Sequence, residues 1–445
     1  GKTYQCVTNY TPAAGFVART GASKPIHTSG IAYDGDGNGR EGTTVEMEGL
    51  GWQFVDVGYG YVKITGYTSP TQVTAVVSGD YNLPAGVVGA GNATFRWALG
   101  AWSAVEGYPE NVTFFRERLT FSKGTKIYFS VSGDFENFAS KDDTGQIVAD
   151  RAIQITLSSD HVDNIEWLIP SQALLIGTAS QEFVCSENTT NQAFAPANVK
   201  IEAQTSEGSR GVYPITVNFS TLFVQKSGRK VKEIAYNFQN NGYVTNDMTV
   251  LAEHITIGGI TSIDWHREPY VALWCSRSDG VLLGYTFNKE QDVTGWHRHQ
   301  LGGDGIVECV CVIPNPDKSC DDLWMIVRRT INGTTKRYIE YMEKGYKDGD
   351  LQSSAFYVDC GLTYSGSPAT TISGLSHLEG QTVQVLADGA AHPDCVVTGG
   401  AITLARSASV AQIGLACPAT LQTTRIEAGA ADGTSQGKTK RINKV

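Results

Sequence analysis

Short apolar runs separated by turn signals recur along this chain, and the clearest set lies between Gly107 and Phe138. In GYPENVTFFRERLTFSKGTKIYFSVSGDFENF, Val112 to Phe115 forms one strand-like segment. Leu119 to Phe121 then alternates in polarity, Ser122-Lys123-Gly124-Thr125 supplies a turn, and Ile127 to Val131 returns. The pattern predicts a small antiparallel sheet. The same shape returns in Ala173 to Ser186, Thr221 to Phe238, Tyr270 to Phe287 and Asp322 to Glu343. Counted from Gly124, the turns at Ser180, Gly228, Gly280 and Gly333 give steps of 56, 48, 52 and 53 residues.

Each later hairpin follows another strand-like segment: NIEWLIP, YPITVNF, ITSIDWH and GIVECVCVI in turn. Further candidates, AIQITL, NVKIEA and MTVLAEHI, lie between the units, so a repeat of about 50 residues holds three to four strands. Four short strands at that length are the signature of a propeller blade, although a solenoid of sheets is also periodic. The fold class expected is all-β, a β-propeller-like core flanked by small β-barrel or β-sandwich domains. Pro109 to Glu343 supplies five visible blades, with closure by a sixth left open.

The flanks differ in texture. Residues 1–92 are expected to form a small β domain, because Gly51 to Val77 alternates polar and apolar positions between Gly and Ser-Pro turns. Tyr81 to Ala93 reads as a linker, and Trp97 and Trp102 begin the contacts of a core spanning 93–350. Residues 351–432 predict a β-sandwich with strands Val383 to Leu386, Cys395 to Thr398, Ala401 to Leu404 and Ala411 to Leu415. Residues 433–445 are a polar, basic connector.

Composition narrows the class. Over 445 residues, 41% apolar and 10% aromatic content is ample for buried cores, and 49 Gly against 14 Pro suits many tight turns. The formal charge is −10, from 35 basic and 45 acidic residues with no run of like charge. A protein that grips phosphates normally shows a basic face, so this balance argues against DNA capture. An acidic wall would instead let a duplex slide past. Nine Cys in no dense framework read as reduced, buried thiols. Residues 1–30 hold no continuous apolar core of a signal peptide, and no run approaches a membrane span, so a soluble chain is expected. The start at Gly1 and the stop at Lys444-Val445 read as an internal segment of a longer product.

Candidate chemistry is sparse. Asp34-Gly35-Asp36-Gly37-Asn38-Gly39 matches the first half of a calcium loop, but Val45 stands where the closing Glu belongs and Glu46 comes one residue late. A Gly-Asp surface turn is the plainer reading. Cys309, Cys311 and Cys320 with His297 and His299 could place two pairs on strand faces for zinc, but the spacing matches no familiar zinc module. Glu166, Asp264 and Glu268 end leading strands, where a glycosidase would need two converging carboxylates. Trp167, Trp265, Trp274, Trp324, Tyr128 and Tyr285 recur at blade positions, either to stack sugars or to fill the wedge between blades. Helix-borne and Gly-rich catalytic motifs are absent. No catalytic, cofactor or metal residue is therefore assigned.

The strings GAWSAVEGYPENVTFFRERLTFSKG, IYFSVSGDFENF, ITLSSDHVDNIEWLIPSQALLIGT, IEAQTSEGS and YVDCGLTYSGSPATTISGLSHLEGQTVQVLADG carry more than a fold. They resemble the tail nozzle (tail tubular protein B type) family of short-tailed bacteriophages, from about Gly51 to the end of the chain and more loosely before it. The resemblance implies a non-enzymatic virion structural protein, assembled in the host cytoplasm into a homohexameric ring at the distal end of the tail. It further implies a tail adaptor ring above, fibres or spikes around the junction, and viral double-stranded DNA passing through the channel without sequence-specific binding. No catalytic residues come with the family. A glycan- or receptor-binding virion protein is the alternative, and a polysaccharide-degrading propeller enzyme a further one.

Overall fold

The computed structural model describes residues 100–141, 146–158, 163–189, 191–317 and 319–417. Outside these it describes 4–6, 31–33, 51–54, 60, 62–77, 83, 87–94, 97, 419, 433–434, 437, 439 and 441. The chain divides into two compact units, one of Gly1–Gly211 with Ala235–Thr245, the other of Val212–Ile234 with Asn246–Val445. The Asp34-Asp36-Asn38 loop lies outside the described residues. Among the described residues no helix is long and apolar enough to cross a membrane.

The first unit opens with strands β1 (Tyr4–Cys6), β2 (Ile31–Tyr33) and β3 (Gly51–Phe54), ordered β1-β3-β2, and a hairpin of β4 (Val62–Ser69) and β5 (Gln72–Val77). Two four-stranded antiparallel meanders follow. Blade 1 is β6 (Asn111–Phe115), β7 (Arg118–Lys123), β8 (Lys126–Phe129) and β9 (Ile153–Thr156); blade 2 is β10 (Ile165–Pro170), β11 (Leu174–Thr178), β12 (Glu182–Glu187) and β13 (Val199–Thr205). Phe115, Ile127, Phe129 and Ile153 of blade 1 pack on Ile165, Leu168, Leu174 and Ile176 of blade 2 in one apolar cluster. All five residues of β11 are buried, which is why this strand reads as a continuous apolar run: a strand covered on both faces has no polar side to alternate with. Trp102 seals the other face of blade 1, edge-on to Phe121 and Phe138 at 5.0 Å each.

Blade 3 is β14 (Ile215–Val217), β15 (Ser220–Val224), β16 (Val231–Asn237) and β17 (Gly242–Asp247), the last two reaching into the Ala235–Thr245 segment. In the second unit, blade 4 is β18 (Ile260–His266), β19 (Ala272–Arg277), β20 (Leu282–Asn288) and β21 (Val293–His299). Blade 5 has three strands, β22 (Ile306–Pro314), β23 (Asp321–Ile331) and β24 (Thr334–Tyr341). Successive blades again share apolar clusters, Leu222 and Val224 with Ile263 and Leu273, then Trp274 and Leu282 with Val307, Met325 and Val327. The chain is thus all-β, with propeller-type blades stacked sheet on sheet within each unit.

The C-terminal sheet is β25 (Val358–Ser373), β26 (Thr382–Ala387), β27 (Ala390–Val396) and β28 (Ala401–Ala416), ordered β25-β28-β26-β27. Three register shifts break the β25 to β28 ladder, and such bulges bend long strands. Val383, Val385, Ile402, Leu404, Ala411 and Ile413 form its core.

A backbone device repeats at the blade junctions. The turn glycine between a blade's second and third strands accepts the N–H that opens the next blade: Ile165 to Gly124 at 2.9 Å, Ile260 to Gly228 at 2.7 Å and Val307 to Gly280 at 2.9 Å. In blade 2 the Thr178 carbonyl accepts from Ser209 at 2.7 Å, within the first unit. Gly280 has φ +91°, and a Cβ there would lie 2.8 Å from the Ile306 Cα. Gly280→Val is therefore expected to lose roughly 3 kcal/mol, from left-handed backbone strain and from prising blade 5 off blade 4. Chemical denaturation checks it; an unchanged midpoint would mean the turn tolerates the displacement.

Two expectations about strands are corrected. MTVLAEHI is not a strand: Met248 to Ile255 makes successive turns, with Ala252 N–H bonded to Thr249 and Ile255 N–H to Ala252. Its apolar residues enter the same cluster as neighbouring strands, but its amides are satisfied locally. The fourth strands are instead the more polar β17 and β21. The expected strands Ala401 to Leu404 and Ala411 to Leu415 are one, because Asp388 accepts the N–H groups of Ser409 and Val410 at 3.0 and 2.9 Å and holds the Ser-rich middle extended.

Candidate functional site

Of the aromatic residues singled out in the sequence, Trp265 and Tyr285 fill the wedge between blades 3 and 4 and Trp274 that between blades 4 and 5. Trp167, Trp265, Trp274, Tyr128 and Tyr285 are buried and Trp324 is half-buried. Trp167 lies over Gly177, where any Cβ would come within 2.1 Å of the indole. The five buried rings present no open stacking platform, and Trp324 lies against Tyr341 at 5.2 Å.

The Cys and His residues do not converge. His297 and His299 sit on one face of β21 and contact each other at 2.7 Å and Trp274. Trp274 belongs to the cluster facing blade 5. Burial lowers both imidazole pKa values, that of His299 to about 4. Cys309 and Cys311 pair in register with Ile326 and Trp324, on the opposite face of blade 5 from Val307, Val310 and Met325. The blade's own sheet therefore separates thiols from imidazoles, and Cys320 lies in the loop before β23. Among the described residues no group of three or more His, Cys, Asp or Glu side chains is placed to hold a metal.

The carboxylates behave likewise. Asp264 accepts the N–H groups of Trp265 at 2.7 Å and of Val312 at 2.6 Å, tying β18 to β22. Glu268 precedes Pro269, and its carbonyl accepts the Asp321 N–H at 2.9 Å. Glu166 lies against Gly211 in the first unit. Asp264 serves as a structural tie rather than as half of an acid and base pair.

The charged groups that matter most were not singled out from the sequence. Arg118, 1% exposed, donates to the carbonyls of Ser130 and Arg151 at 2.7 Å, Ala149 at 2.9 Å, Asp150 at 3.1 Å and Phe194 at 3.4 Å. Glu182 is fully buried and accepts from Thr205 at 2.5 Å, Ser209 at 2.8 Å and the Glu207 N–H at 3.3 Å. Glu233, also buried, takes Lys289 at 2.6 Å. Arg329 grips Glu340 with two bonds of 2.7 and 2.9 Å and donates to the Gly302 carbonyl at 2.7 Å; the Gly302 N–H in turn bonds Asp359. The only visible signal for these is a charge set inside an apolar strand, as in FFRERLTF, QEFVCS and WMIVRRTI.

Burial raises the Glu182 pKa above the ordinary glutamate value, opposed by the Thr205 and Ser209 hydroxyls. The folded state therefore holds this proton more tightly than the unfolded chain does. Stability rises as pH falls from above the folded pKa toward the unfolded one, and is lost on the way back up. Glu182→Gln should remove that slope: its stability relative to the parent is expected to be highest at pH 7 and to shrink toward pH 5. Melting temperatures across that range check it, and a gap that widens on acidification would contradict it.

An open cleft of about 1160 Å³ lies in the second unit between β24 and the start of β25. Of its lining charges, Glu340 is held by Arg329, Asp359 accepts the Gly302 N–H, and Arg277 pairs with Asp279. Burial pushes its Cys360 thiol up to about 12, so the sulfur stays protonated and a poor nucleophile. Burial also raises the Asp359 carboxyl above its ordinary range, opposed by the Gly302 N–H and Arg329; the arrangement ties the blade 5 sheet to the start of β25.

The model of the family described as bacteriophage nozzle protein matches residues 103–410. Among solved structures, the chain is similar to the Cps50 (Swd1) β-propeller domain of Myceliophteria thermophila, with 8% identity, TM-score 0.32, 53% of this chain and 73% of that one. It is also similar to Raptor of Chaetomium thermophilum, with 10% identity and TM-score 0.33, over 71% of this chain and 28% of that one. No curated protein matches.

Proposed function

The chain belongs to the bacteriophage nozzle protein family and is a structural component of a phage tail, and on that premise we propose that copies of it form the ring-shaped conduit at the distal tip, through which the genome leaves. The observation that carries this reading is the family match itself, which spans all five blades and most of the C-terminal sheet. The proposed ring holds six copies beneath an adaptor ring, with fibres or spikes attached around the junction. The residues before 93 and after 350 would then form domains of their own, flanking the blades.

Physical features support the reading. Stacked blades with internally paired charges give rigid bodies suited to repeated packing about an axis. A net charge of −10 disfavours retention of a duplex. The protein is proposed to do no chemistry: its buried aromatics offer no sugar platform, and Asp264 is committed to backbone amides.

Gold-labelled antibodies against the chain, applied to intact particles, test the placement. Label on the tail axis at the distal tip is expected. Label on lateral appendages would reject the conduit and favour a receptor-binding role.

A further inference from the structure

Blades 1 to 4 each end in a fourth strand paired with the third, whereas blade 5 stops at β24 and leaves it as an edge strand. The Met342 N–H bonds the Leu323 carbonyl at 2.8 Å, and the β23 to β24 ladder runs back from there with no register shift. Alternate residues of a strand turn their main-chain groups to opposite sides, so the N–H and C=O groups of Arg337, Ile339 and Tyr341 point away from β23. Among the described residues nothing bonds them. The cleft between β24 and the start of β25 follows this edge from Tyr338 to Glu343, and every residue lining it belongs to the second unit.

An exposed edge normally carries lysine, proline or a bulge that discourages pairing. Lys336 and Arg337 do so for the first half of β24. The half inside the cleft has none of these, and its Ile339 and Tyr341 are 76% and 51% exposed. We propose that this slot binds an extended segment of a partner protein, which adds antiparallel to β24 as the missing fourth strand of blade 5. The other blades and the charges of the edge define what fits. The existing fourth strands run from four to seven residues and lie antiparallel to the third in blades 1, 2 and 4. In blade 4, Tyr285 stacks at 4.7 Å on the Trp296 opposite it, so an aromatic residue suits the place opposite Tyr341. β24 leads from the basic Lys336 to the acidic Glu343, neither of them in an ion pair among the described residues. An antiparallel segment begins beside Glu343 and ends beside Lys336. It should therefore start basic and finish acidic, with uncharged β-branched residues between. Main-chain bonds to the edge supply affinity, and the order of charges sets direction. The slot lies wholly in the second unit, and docking there does not require a ring.

Amide exchange read residue by residue on the full chain, without and with the blocked, fluorescein-labelled peptide Lys-Thr-Tyr-Thr-Val-Thr-Glu, tests the slot. In the free chain the amides of Arg337, Ile339 and Tyr341 should exchange roughly 100-fold faster than those of Tyr338, Glu340 and Met342. The peptide should slow those three and bind with a Kd of about 10–100 µM by fluorescence anisotropy. Reversing its sequence, or methylating the backbone nitrogens of its Tyr and Val, should weaken binding about tenfold or more. Ile339→Pro should weaken it as much while leaving the melting temperature close to the parent's, since proline is tolerated where an edge N–H faces solvent. Outward amides already protected in the dilute parent would mean that the chain fills its own slot, and protection that appears only on concentrating it would mean that a second copy does. Either result overturns the partner segment. So does a peptide that fails to bind at about 1 mM, or one that binds equally well when reversed or to the proline variant.

Discussion

Arg118→Met should cost about 4 kcal/mol of unfolding free energy, because it strips the donors from five carbonyls around blade 1 and leaves buried acceptors behind. Burial lowers the guanidinium pKa, with Asp150 acting the other way. Its role is to gather the loop at Ala149 to Arg151 onto β7 and β8 using a rigid fork of donors. Arg118→Lys keeps the charge but offers three donors from one atom, so it should recover only part of the loss. Denaturant titration measures the loss, and amide exchange in the 149–151 loop localises it. A loss under about 1 kcal/mol would mean that water satisfies those carbonyls as well as the arginine does.

Arg329→Met comes next in size, with an expected loss of roughly 3–5 kcal/mol. Here the damage is a carboxylate left without its partner, since Glu340 is mostly buried and takes both of its strong bonds from Arg329. Removing both charges, Arg329→Met with Glu340→Leu, should restore much of the stability, because two apolar side chains replace a pair that had to be desolvated. The Gly302 carbonyl loses its donor in either case, so recovery should stop short of complete. A double variant as unstable as the single one would show that Glu340 alone is not the source of the loss.

The blades were legible because the second strands of blades 2 to 4 are largely apolar and buried, and because most of the turns carry Gly at a regular step. Leu222, Phe223 and Val224 or Leu273, Trp274 and Cys275 could hardly lie anywhere but between two packed sheets. The fourth strands of blades 1 and 2 were read as AIQITL and NVKIEA, but those of blades 3 and 4 were not legible, for the opposite reason. Residues such as Thr245 to Asp247 and Thr294 to His297 cover an outer edge, where partial exposure permits polar side chains and the periodicity fades. β25 hid in the same way, its sixteen residues rich in Gly, Ser and Thr and mostly exposed. The candidate chemistry failed on faces rather than on residue types. The i, i+2 spacing of Cys309 and Cys311 does put them on one face, as does that of His297 and His299, but which face meets which is decided by register between blades. Arg118 and Arg329 could have been flagged, since a charge inside a buried strand needs a partner, but the carbonyls that bind Arg118 are set by loops with no sequence signature.

The central claim, a ring on the tail axis built to pass DNA, is tested most directly by electron microscopy of the phage particle, reconstructed without imposed symmetry. The account predicts several copies of this chain around the distal end of the axis, with an open bore along which duplex density continues. A single copy, an off-axis appendage or a closed assembly without a bore would contradict it.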